Sequence, residues 1–590
     1  MLDFSLDGSE HIRIKCDEVS QDIKYFFDYE FNKQFDSDEM IIDVPHFLRN
    51  INNINRFLAK NKIPIHTSNE FVNLVNNVPS YIEASLSNKI EEDVILTKIQ
   101  KEGFKRVPTN DQMRNLQKLC SIRAGASFSV PGAGKTTEAL AFHAYHKTKH
   151  EDKLLVISPI NAFTSWNEEL QECYETKISF SRLRGTTQEI SAKISAGSQY
   201  MIINYEALYT HHSKDKFQLI KNLILKNKNI TVILDESHKS KGENISEIIA
   251  QLSPYINKKL ILTGTPMPQA PSDLRPQFNF LYPHEHIIND DELVEKFNPV
   301  YVRTTKENLG LMKPIYNIHK ISPYPAFKIF YDEYFAKRLA EGATLEEILS
   351  VKSFKEAVLK LLKLLSNPAS CFDDIFDLDP SLANHIQDEG DGAKIDAVIK
   401  RANALINQGE KVIIWSSFVI NVELIAQKFG NKAVYIHGGV PSKSEEDSFA
   451  EFDSREEKIR RFKTDSECMV LVANPAAAAE SISLHKQCNY ALYLDRTYNA
   501  GQFLQSQDRI HRLISKELEQ QKYIEVFLLD LPECGDWKVH AALNRKIENM
   551  AAFLNDSSLL SLHGFDYDLD SYQDKGRHVI DEIDRKEFYQ

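Results

Sequence analysis

One short stretch has the residue types of a phosphate-binding loop. It runs from Ser129 to Thr136 and reads SVPGAGKT. Its two glycines let the backbone bend so that successive N–H groups point at phosphate oxygens, and the helix-forming run that follows adds the partial positive charge of a helix N-terminus. Lys135 is expected to reach the β- and γ-phosphates of a nucleotide, and the Thr136 hydroxyl to bind Mg²⁺. The predicted nucleotide-binding residues are Pro131, Gly132, Ala133, Gly134, Lys135, Thr136 and Thr137, with Ser129 standing where the usual pattern has a glycine.

An acidic pair follows a buried strand later in the chain. The apolar run Ile230–Leu234 leads directly into Asp235, Glu236, Ser237 and His238. An open α/β sheet places its chemistry at the C-terminal ends of parallel strands. We therefore expect Asp235 to hold Mg²⁺ through water, and Glu236 to orient and deprotonate an attacking water. A plain helix cap is the alternative reading of this tetrapeptide.

Gln112, which precedes the loop, is a third candidate. Its amide has both a donor and an acceptor, so it can read the edge of an adenine ring. A surface glutamine is the alternative.

Two arginines near the end of the chain complete the set of candidates. Residues 505–512 read as a helix, on which Arg509 and Arg512 share one face because they are three positions apart. Two guanidinium groups on one face can stabilise the charge that develops on a transferring phosphoryl group. A solvated basic helix face is the alternative, and it is disfavoured because the first half of the chain offers no such arginine.

The elements that must position these residues are visible as short apolar runs. Four runs (154–157, 201–203, 230–234 and 260–262) and four more (411–415, 433–436, 469–473 and 490–494) alternate with helical segments. This alternation predicts two parallel, doubly wound α/β sheets. Residues 326–366 have helical spacing, whereas the acidic stretch Asp373–Asp391 is predicted to be a loop or linker. Residues 1–95 predict a small α/β accessory domain, with a packing extension without ligand as an equal alternative.

Composition excludes several classes of protein. The chain has 590 residues and a formal net charge of −13, so contact with nucleic acid requires a local basic groove. No apolar run has the length of a membrane span, and the first residues lack the features of a signal peptide. The seven cysteines form no CxxC pair, which favours reduced thiols and a cytoplasmic protein over a zinc site.

Several motifs in their order along the chain resemble superfamily 2 helicases, and specifically the Swi/Snf-type DNA translocases. The resemblance covers roughly Val107 to Met550. It rests on the acidic box with Lys239, Lys241 and Gly242, on Leu262–Pro266 followed by Phe280–Pro283, on Arg303–Lys306, on Asn367 and Pro368, and on Gln505, Asp508, Arg509, His511 and Arg512. The chain departs from the family pattern at Ala478–Ser481, at Leu513 and Ile514, and at Pro268 and Gln269.

The resemblance implies an α/β fold with two RecA-like, doubly wound parallel-sheet domains, helical insertions and the small N-terminal domain. The expected boundaries are 1–95 for the accessory domain, 96–318 for the first RecA-like domain, 319–392 for a helical insertion and linker, 393–555 for the second RecA-like domain, and 556–590 for a tail. ATP and Mg²⁺ are the implied cofactors. The implied catalytic residues are Lys135, Glu236, Arg509 and Arg512.

The expected function is an ATP-dependent translocase on double-stranded DNA, the motor of a bacterial or phage DNA-processing or defence system. Other subunits of a defence or repair complex are candidate partners, and no membrane partner is expected. Two alternatives stay open: a helicase that separates strands of DNA or RNA, and a nucleotide-gated binding module with little ATPase activity.

Overall fold

A computed structural model describes residues 1–16, 20–174, 178–209, 214–440, 454–478, 483–512, 520–531 and 534–563. The chain divides into two units. The first comprises Met1–Met267 and Pro271–Asn308, and the second begins at Leu309 and includes Pro268–Ala270. Across the described residues, no helix is long and apolar enough to cross a membrane.

The first unit begins with a small mixed sheet in the order β3-β2-β1-β4. Its strands are β1 (Leu2–Asp7), β2 (His11–Cys16), β3 (Glu39–Asp43) and β4 (Ile65–Thr67), and its helices are α1 (Gln21–Phe31), α2 (Val44–Asn61) and α3 (Asn69–Asn77). Each helix starts at a side-chain cap, from Ser20, Asp43 and Ser68 respectively. The apolar faces of these helices close a separate core that is rich in phenylalanine. These strands and helices give this segment the α/β composition that is predicted for the accessory domain.

Two further helices join this part to the larger sheet: α4 (Tyr81–Leu86) and α5 (Glu92–Lys101). The Tyr81 ring packs edge-on against Phe278 and Tyr282, and Ile95 belongs to the core of the larger sheet. The predicted accessory domain ended at residue 95, but that boundary falls inside α5. By its packing, the accessory part ends before α4.

The rest of the first unit is a seven-stranded sheet in the order β11-β5-β10-β9-β6-β8-β7, with every pairing parallel. The strands are β5 (Ala124–Ser127), β6 (Leu154–Ile157), β7 (Ser181–Arg182), β8 (Tyr200–Ile203), β9 (Thr231–Asp235), β10 (Lys258–Leu262) and β11 (Tyr301–Val302). The helices are α6 (Asn110–Leu119), α7 (Lys135–His146), α8 (Phe163–Cys173), α9 (Thr187–Ser195), α10 (Glu206–Tyr209), α11 (Lys214–Lys226), α12 (Glu243–Leu252), α13 (Leu274–Leu281) and α14 (Asp290–Phe297). The central strands are buried on both faces, as a parallel sheet covered by helices requires.

The second unit contains a six-stranded parallel sheet in the order β12-β17-β16-β13-β15-β14. Its strands are β12 (Ile315–Ile321), β13 (Val412–Trp415), β14 (Ala433–Ile436), β15 (Val470–Ala473), β16 (Tyr490–Tyr493) and β17 (Tyr523–Leu529). Its helices are α15 (Pro325–Tyr331), α16 (Lys337–Ala340), α17 (Leu345–Ile348), α18 (Phe354–Ser366), α19 (Phe372–Phe376), α20 (Pro380–Asp388), α21 (Ala393–Ile406), α22 (Val419–Phe429), α23 (Arg455–Thr464), α24 (Pro475–Ala478), α25 (Ala500–Gln507) and α26 (Gly535–Leu554). The prediction of two parallel α/β sheets is confirmed.

Two predictions about the middle of the chain are wrong. The boundary at residue 318 cuts through β12, which pairs along its whole length with β17 of the second sheet. β12 is an edge strand whose residues are not fully buried. It therefore lacks the continuous apolar run by which a central strand is recognised in a sequence. The acidic stretch 373–391 contains most of α19 and all of α20. There the Asp379 side chain caps α20, and Pro380 occupies the first turn of that helix. At least one of the acidic residues therefore stabilises a helix.

Of the predicted tail, residues 556–563 are described and include a 3₁₀ helix at Ser557–His563. The rest of the tail, Leu513 and Ile514, and the departures at 479–481 lie outside the described residues.

Candidate nucleotide site

Three neighbouring strands bring the predicted site residues to one edge of the first sheet. Ser127 of β5 pairs with Leu262 of β10, and Leu262 pairs with Asp235 of β9. These three paired residues form one row across the parallel strands. The phosphate-loop candidate, the turn after β10 and the acidic box each start at this row. This is the C-terminal edge, where an open α/β sheet binds its ligands.

The loop between β5 and α7 has the backbone of a phosphate cradle. Gly132 and Gly134 have φ values of 89° and 82°, in the left-handed region that favours glycine. A Cβ on Gly134 would also clash with the Gln112 side-chain amide in its present position. Lys135 is the first residue of α7, and its Nζ donates to the Ser129 carbonyl at 2.8 Å. The lysine thus lies across the loop that it is predicted to serve.

Ser129, which stands where the usual pattern has glycine, is fully buried and has a structural role. Its hydroxyl accepts a hydrogen bond from the Thr304 backbone N–H at 3.0 Å. A side chain is tolerated here because it points into the protein and ties the loop to the segment after β11.

Gln112 lies against the loop and already has two protein partners. Its Oε1 accepts from the Thr109 backbone N–H at 3.0 Å as part of a capping box at the start of α6. Its Nε2 donates to the Ala133 carbonyl at 3.2 Å. In this structure Gln112 therefore connects the start of α6 to the phosphate loop. Recognition of adenine by Gln112 stays a prediction.

Four hydrogen bonds hold the Asp235 peptide and carboxylate. Asp235 Oδ2 accepts from Trp166 Nε1 at 2.7 Å and from Ser158 Oγ at 3.2 Å. Its Oδ1 accepts from the Glu236 backbone N–H at 3.0 Å, and Tyr205 donates its hydroxyl to the Asp235 carbonyl at 2.8 Å. Burial, with a smaller contribution from the Glu236 charge, raises the pKa of Asp235 to about 6. A cation beside this carboxylate would favour its ionised form.

Glu236 is held at the strand end in an unusual conformation. It is a non-glycine residue with a φ of 49°, which turns the chain sharply after Asp235. Its Oε2 lies 3.4 Å from His238 Nδ1 and 3.5 Å from Thr263 Oγ1, and that imidazole nitrogen and hydroxyl lie 2.9 Å from each other. The turn after β10 therefore contacts the acidic box through Thr263.

The donor set fits a hard divalent cation. Thr136 lies in the first turn of α7, half-buried, and supplies a hydroxyl oxygen, while Asp235 supplies carboxylate oxygens. Mg²⁺ prefers such oxygen ligands and usually takes the others from water and from substrate phosphates. The described residues contain no group of three or more His, Cys, Asp or Glu side chains that could hold a metal ion. Thr137 differs from its neighbour, because its hydroxyl donates to Glu169 and its side chain faces the protein.

A buried polar network beneath the loop was not found from the sequence. Asn115 Nδ2 donates to Glu138 Oε1 at 2.7 Å and to Thr304 Oγ1 at 3.0 Å, and Ser127 Oγ donates to Glu138 Oε2 at 2.8 Å. Burial is the largest influence on Glu138 and raises its pKa to about 7. The one sequence signal is an acidic residue inside the apolar start of α7.

The two arginines of the second unit do not lie on one helical face, so that prediction is wrong. Helix α25 ends at Gln507 with Asp508 as its C-cap, and the N–H groups of Ile510 and His511 both bond to the Gln507 carbonyl in turns. Arg509 is almost fully buried, and its Nε donates to the Gln505 carbonyl at 2.9 Å. Arg512 is half-buried, and its Nε donates to the Asp508 carbonyl at 3.0 Å.

Comparison with protein families identifies two domains in the order that the motifs predict. Residues 116–289 match the SNF2-related domain, and residues 393–514 match the helicase conserved C-terminal domain. The first segment contains the phosphate loop and the acidic box. The second contains Arg509 and Arg512.

Similar proteins occur in a mycoplasma and in a yeast. An uncharacterized ATP-dependent helicase of Mycoplasma genitalium is 24% identical over 80% of this chain and 46% of its own length. The nuclear protein STH1/NPS1 of Saccharomyces cerevisiae is 23% identical over 69% of this chain and 32% of its own length. This chain therefore spans less than half the length of these relatives. A solved structure, the Sulfolobus solfataricus SWI2/SNF2 ATPase core in complex with dsDNA, is 17% identical over 78% of this chain and 96% of that chain, with a TM-score of 0.31.

Proposed function

We propose that this chain, which contains an SNF2-related domain followed by a helicase conserved C-terminal domain, is an ATP-dependent translocase on double-stranded DNA. The observation that carries the ATPase part is the row formed by Ser127, Leu262 and Asp235. It brings the phosphate loop, the Thr263 turn and the acidic box to one edge of the sheet.

The residues at this edge supply the parts that phosphoryl transfer needs. The loop amides and the Lys135 ammonium would bind the phosphates, and Thr136 and Asp235 would hold Mg²⁺, which when bound neutralises charge on the phosphate oxygens. Glu236 would orient the attacking water and accept its proton. The contacts of Glu236 with Thr263 and His238 fix where that carboxylate points.

The choice of duplex DNA rests on the resemblance to Swi/Snf-type translocases and on the SNF2-related domain. Translocation needs contacts to the sugar-phosphate backbone, and such contacts carry no sequence information. With a net charge of −13 the protein has no diffuse attraction for DNA, so a local basic surface must provide it. A role as the motor of a bacterial or phage DNA-processing or defence system stays a prediction.

Steady-state ATPase assays on the full chain test the proposal. Duplex DNA is expected to stimulate hydrolysis more than single-stranded DNA or RNA, and the stimulation should weaken with added salt because phosphate contacts release counterions. Lys135→Ala is the matched control, since it removes a half-buried ammonium at the loop without touching the core. It should abolish hydrolysis while the melting temperature is retained.

Two DNA substrates separate translocation from strand separation. A translocase should displace the third strand of a triplex in an ATP-dependent way and leave a simple forked duplex largely paired. Efficient unwinding of the fork, or stimulation by RNA alone, would move the assignment to a helicase. Nucleotide and DNA binding without turnover would instead identify a nucleotide-gated binding module.

A further inference from the structure

Helix α8 is fixed firmly beside the candidate nucleotide site. Phe163, Trp166, Leu170 and Cys173 are buried and form one apolar stripe along the helix. The Trp166 ring is 1% exposed and packs edge-on against Phe180 at a centroid distance of 5.9 Å. The next residue, Asn167, adds a hydrogen bond, because its Oδ1 accepts from the Phe180 backbone N–H at 2.9 Å. The helix therefore has little freedom to move relative to the sheet.

Two side chains one turn apart on α8 reach two different parts of the site. Trp166 donates its indole N–H to Asp235 Oδ2 at 2.7 Å. Glu169 Oε1 accepts from the Thr137 hydroxyl and, at 2.5 Å, from Arg106 Nη1. Thr137 is the neighbour of Thr136, so α8 is attached by hydrogen bonds both to the acidic box and to the first turn after the phosphate loop.

We infer that α8 sets the separation between the Thr136 hydroxyl and the Asp235 carboxylate, and that Trp166 and Glu169 are positioning residues for nucleotide-bound Mg²⁺. The inference rests on the proposed ATPase function. Partners that hydrogen-bond a metal ligand orient it, and their loss typically costs about 10–100-fold in metal affinity. The hydrogen bond from Trp166 to Asp235 Oδ2 is shorter than the one from Ser158, and the Trp166 side chain is buried, which limits its movement.

Trp166→Phe is the sharpest test, because it keeps a buried aromatic ring and removes the N–H. Trp415→Phe is the matched control: Trp415 is equally buried, and its indole N–H has no hydrogen-bond partner among the described residues. Two quantities are measured on the full chain. They are the affinity of fluorescent ADP in the presence of EDTA, and the affinity of Mn²⁺ for the ADP complex by electron paramagnetic resonance.

Trp166→Phe is expected to weaken Mn²⁺ binding by about 10-fold or more and to leave metal-free ADP binding unchanged. Trp415→Phe should change neither. Glu169→Ala should also weaken Mn²⁺ binding, and Glu169→Gln should restore most of it because the amide oxygen can still accept from Thr137. A general loss of structure would lower metal-free ADP binding as well, so the two readouts distinguish positioning from folding.

Wild-type Mn²⁺ affinity in a folded Trp166→Phe variant would overturn the inference. If that variant does not fold, the Glu169 variants decide the question, because Glu169 is the second α8 residue that reaches the site. Weakened Mn²⁺ binding in Glu169→Ala that Glu169→Gln restores would then support the inference, and wild-type Mn²⁺ affinity in folded Glu169→Ala would overturn it. A wild-type chain that binds neither ADP nor metal would instead refute the proposed function, and the inference with it.

Discussion

Glu138→Gln is expected to stabilise the first unit at neutral and alkaline pH and to have little effect at acidic pH. Glu138 is fully buried beneath the phosphate loop, and burial raises its pKa from 4.5 to about 7. A glutamine has the shape of the protonated acid. Its amide oxygen can accept from Asn115, and its NH₂ group can donate to Ser127, whose own hydroxyl can turn towards Ser129 Oγ at 3.3 Å.

The magnitude follows from proton linkage. Below about pH 4.5 both the folded and the unfolded chain carry this proton, and above about pH 7 neither does. Between these values only the folded chain binds it, so the stability of the wild type falls as pH rises, by about 1.4 kcal/mol per pH unit. Glutamine does not titrate. The stability gained by Glu138→Gln should therefore grow from near zero at about pH 4 to about 3 kcal/mol at about pH 8.

Urea unfolding measured at several pH values gives this difference directly. The chain has three tryptophans, and only Trp166 lies in the first unit. A Trp415→Phe, Trp537→Phe background therefore makes the fluorescence report on the first unit alone. Other groups whose pKa changes on folding, such as His143 and Asp235, are present in both proteins and cancel in the difference.

Glu189→Gln is the control, because Glu189 is an exposed glutamate of the same unit. Hydrogen bonds from Thr186 lower its pKa, so its contribution to stability is lost only as pH falls below its ordinary range. The free-energy difference for Glu189→Gln should be flat between about pH 5 and about pH 8. A difference for Glu138→Gln that is equally flat would refute a proton-bearing carboxyl beneath the loop.

Three further predictions concern the catalytic groups and the N-terminal part. Glu236→Gln should bind ATP and DNA but hydrolyse ATP poorly, since the amide keeps the shape and loses the base; loss of nucleotide binding, measured with fluorescent ATP, would show a structural role instead. Arg509→Ala and Arg512→Ala should each lower kcat by about 10³ or more if both act on the phosphoryl group; normal turnover with a lower melting temperature would refute this, and the buried Arg509 is the stricter case. Deletion of residues 1–77 should leave DNA-stimulated ATPase largely intact, whereas deletion of residues 1–95 should lower the melting temperature because it removes the Tyr81 packing; equal behaviour of the two truncations would contradict the division at α4.

The predictions that succeeded depend on signals that lie next to each other in the chain. A buried parallel strand is a short apolar run, and a phosphate loop is a fixed pattern of glycine, lysine and threonine, so both sheets and the loop could be predicted locally. β12 could not, because an edge strand needs no continuous apolar run. The helix predicted through Arg512 failed for a related reason: sequence periodicity does not show where the hydrogen bonds of α25 end.

The contacts that position the site join residues far apart in the sequence, yet they share a pattern. Gln112 and Asn115 lie one turn apart on α6, and they reach the loop at the Ala133 carbonyl and the network at Glu138. Trp166 and Glu169 lie one turn apart on α8, and they reach the acidic box and the first turn of α7.

Residues three apart on a helix point the same way, and buried polar groups need partners. A pair of polar or amphipathic side chains at this spacing, on the buried side of a helix next to a motif, is therefore a sequence signal for the groups that hold the motif in place. The motif residues determine which chemistry the edge of the sheet can perform. The helix pairs determine whether its oxygen and nitrogen atoms lie where that chemistry needs them, which is why substitutions at Trp166 should change metal affinity without touching a single predicted ligand.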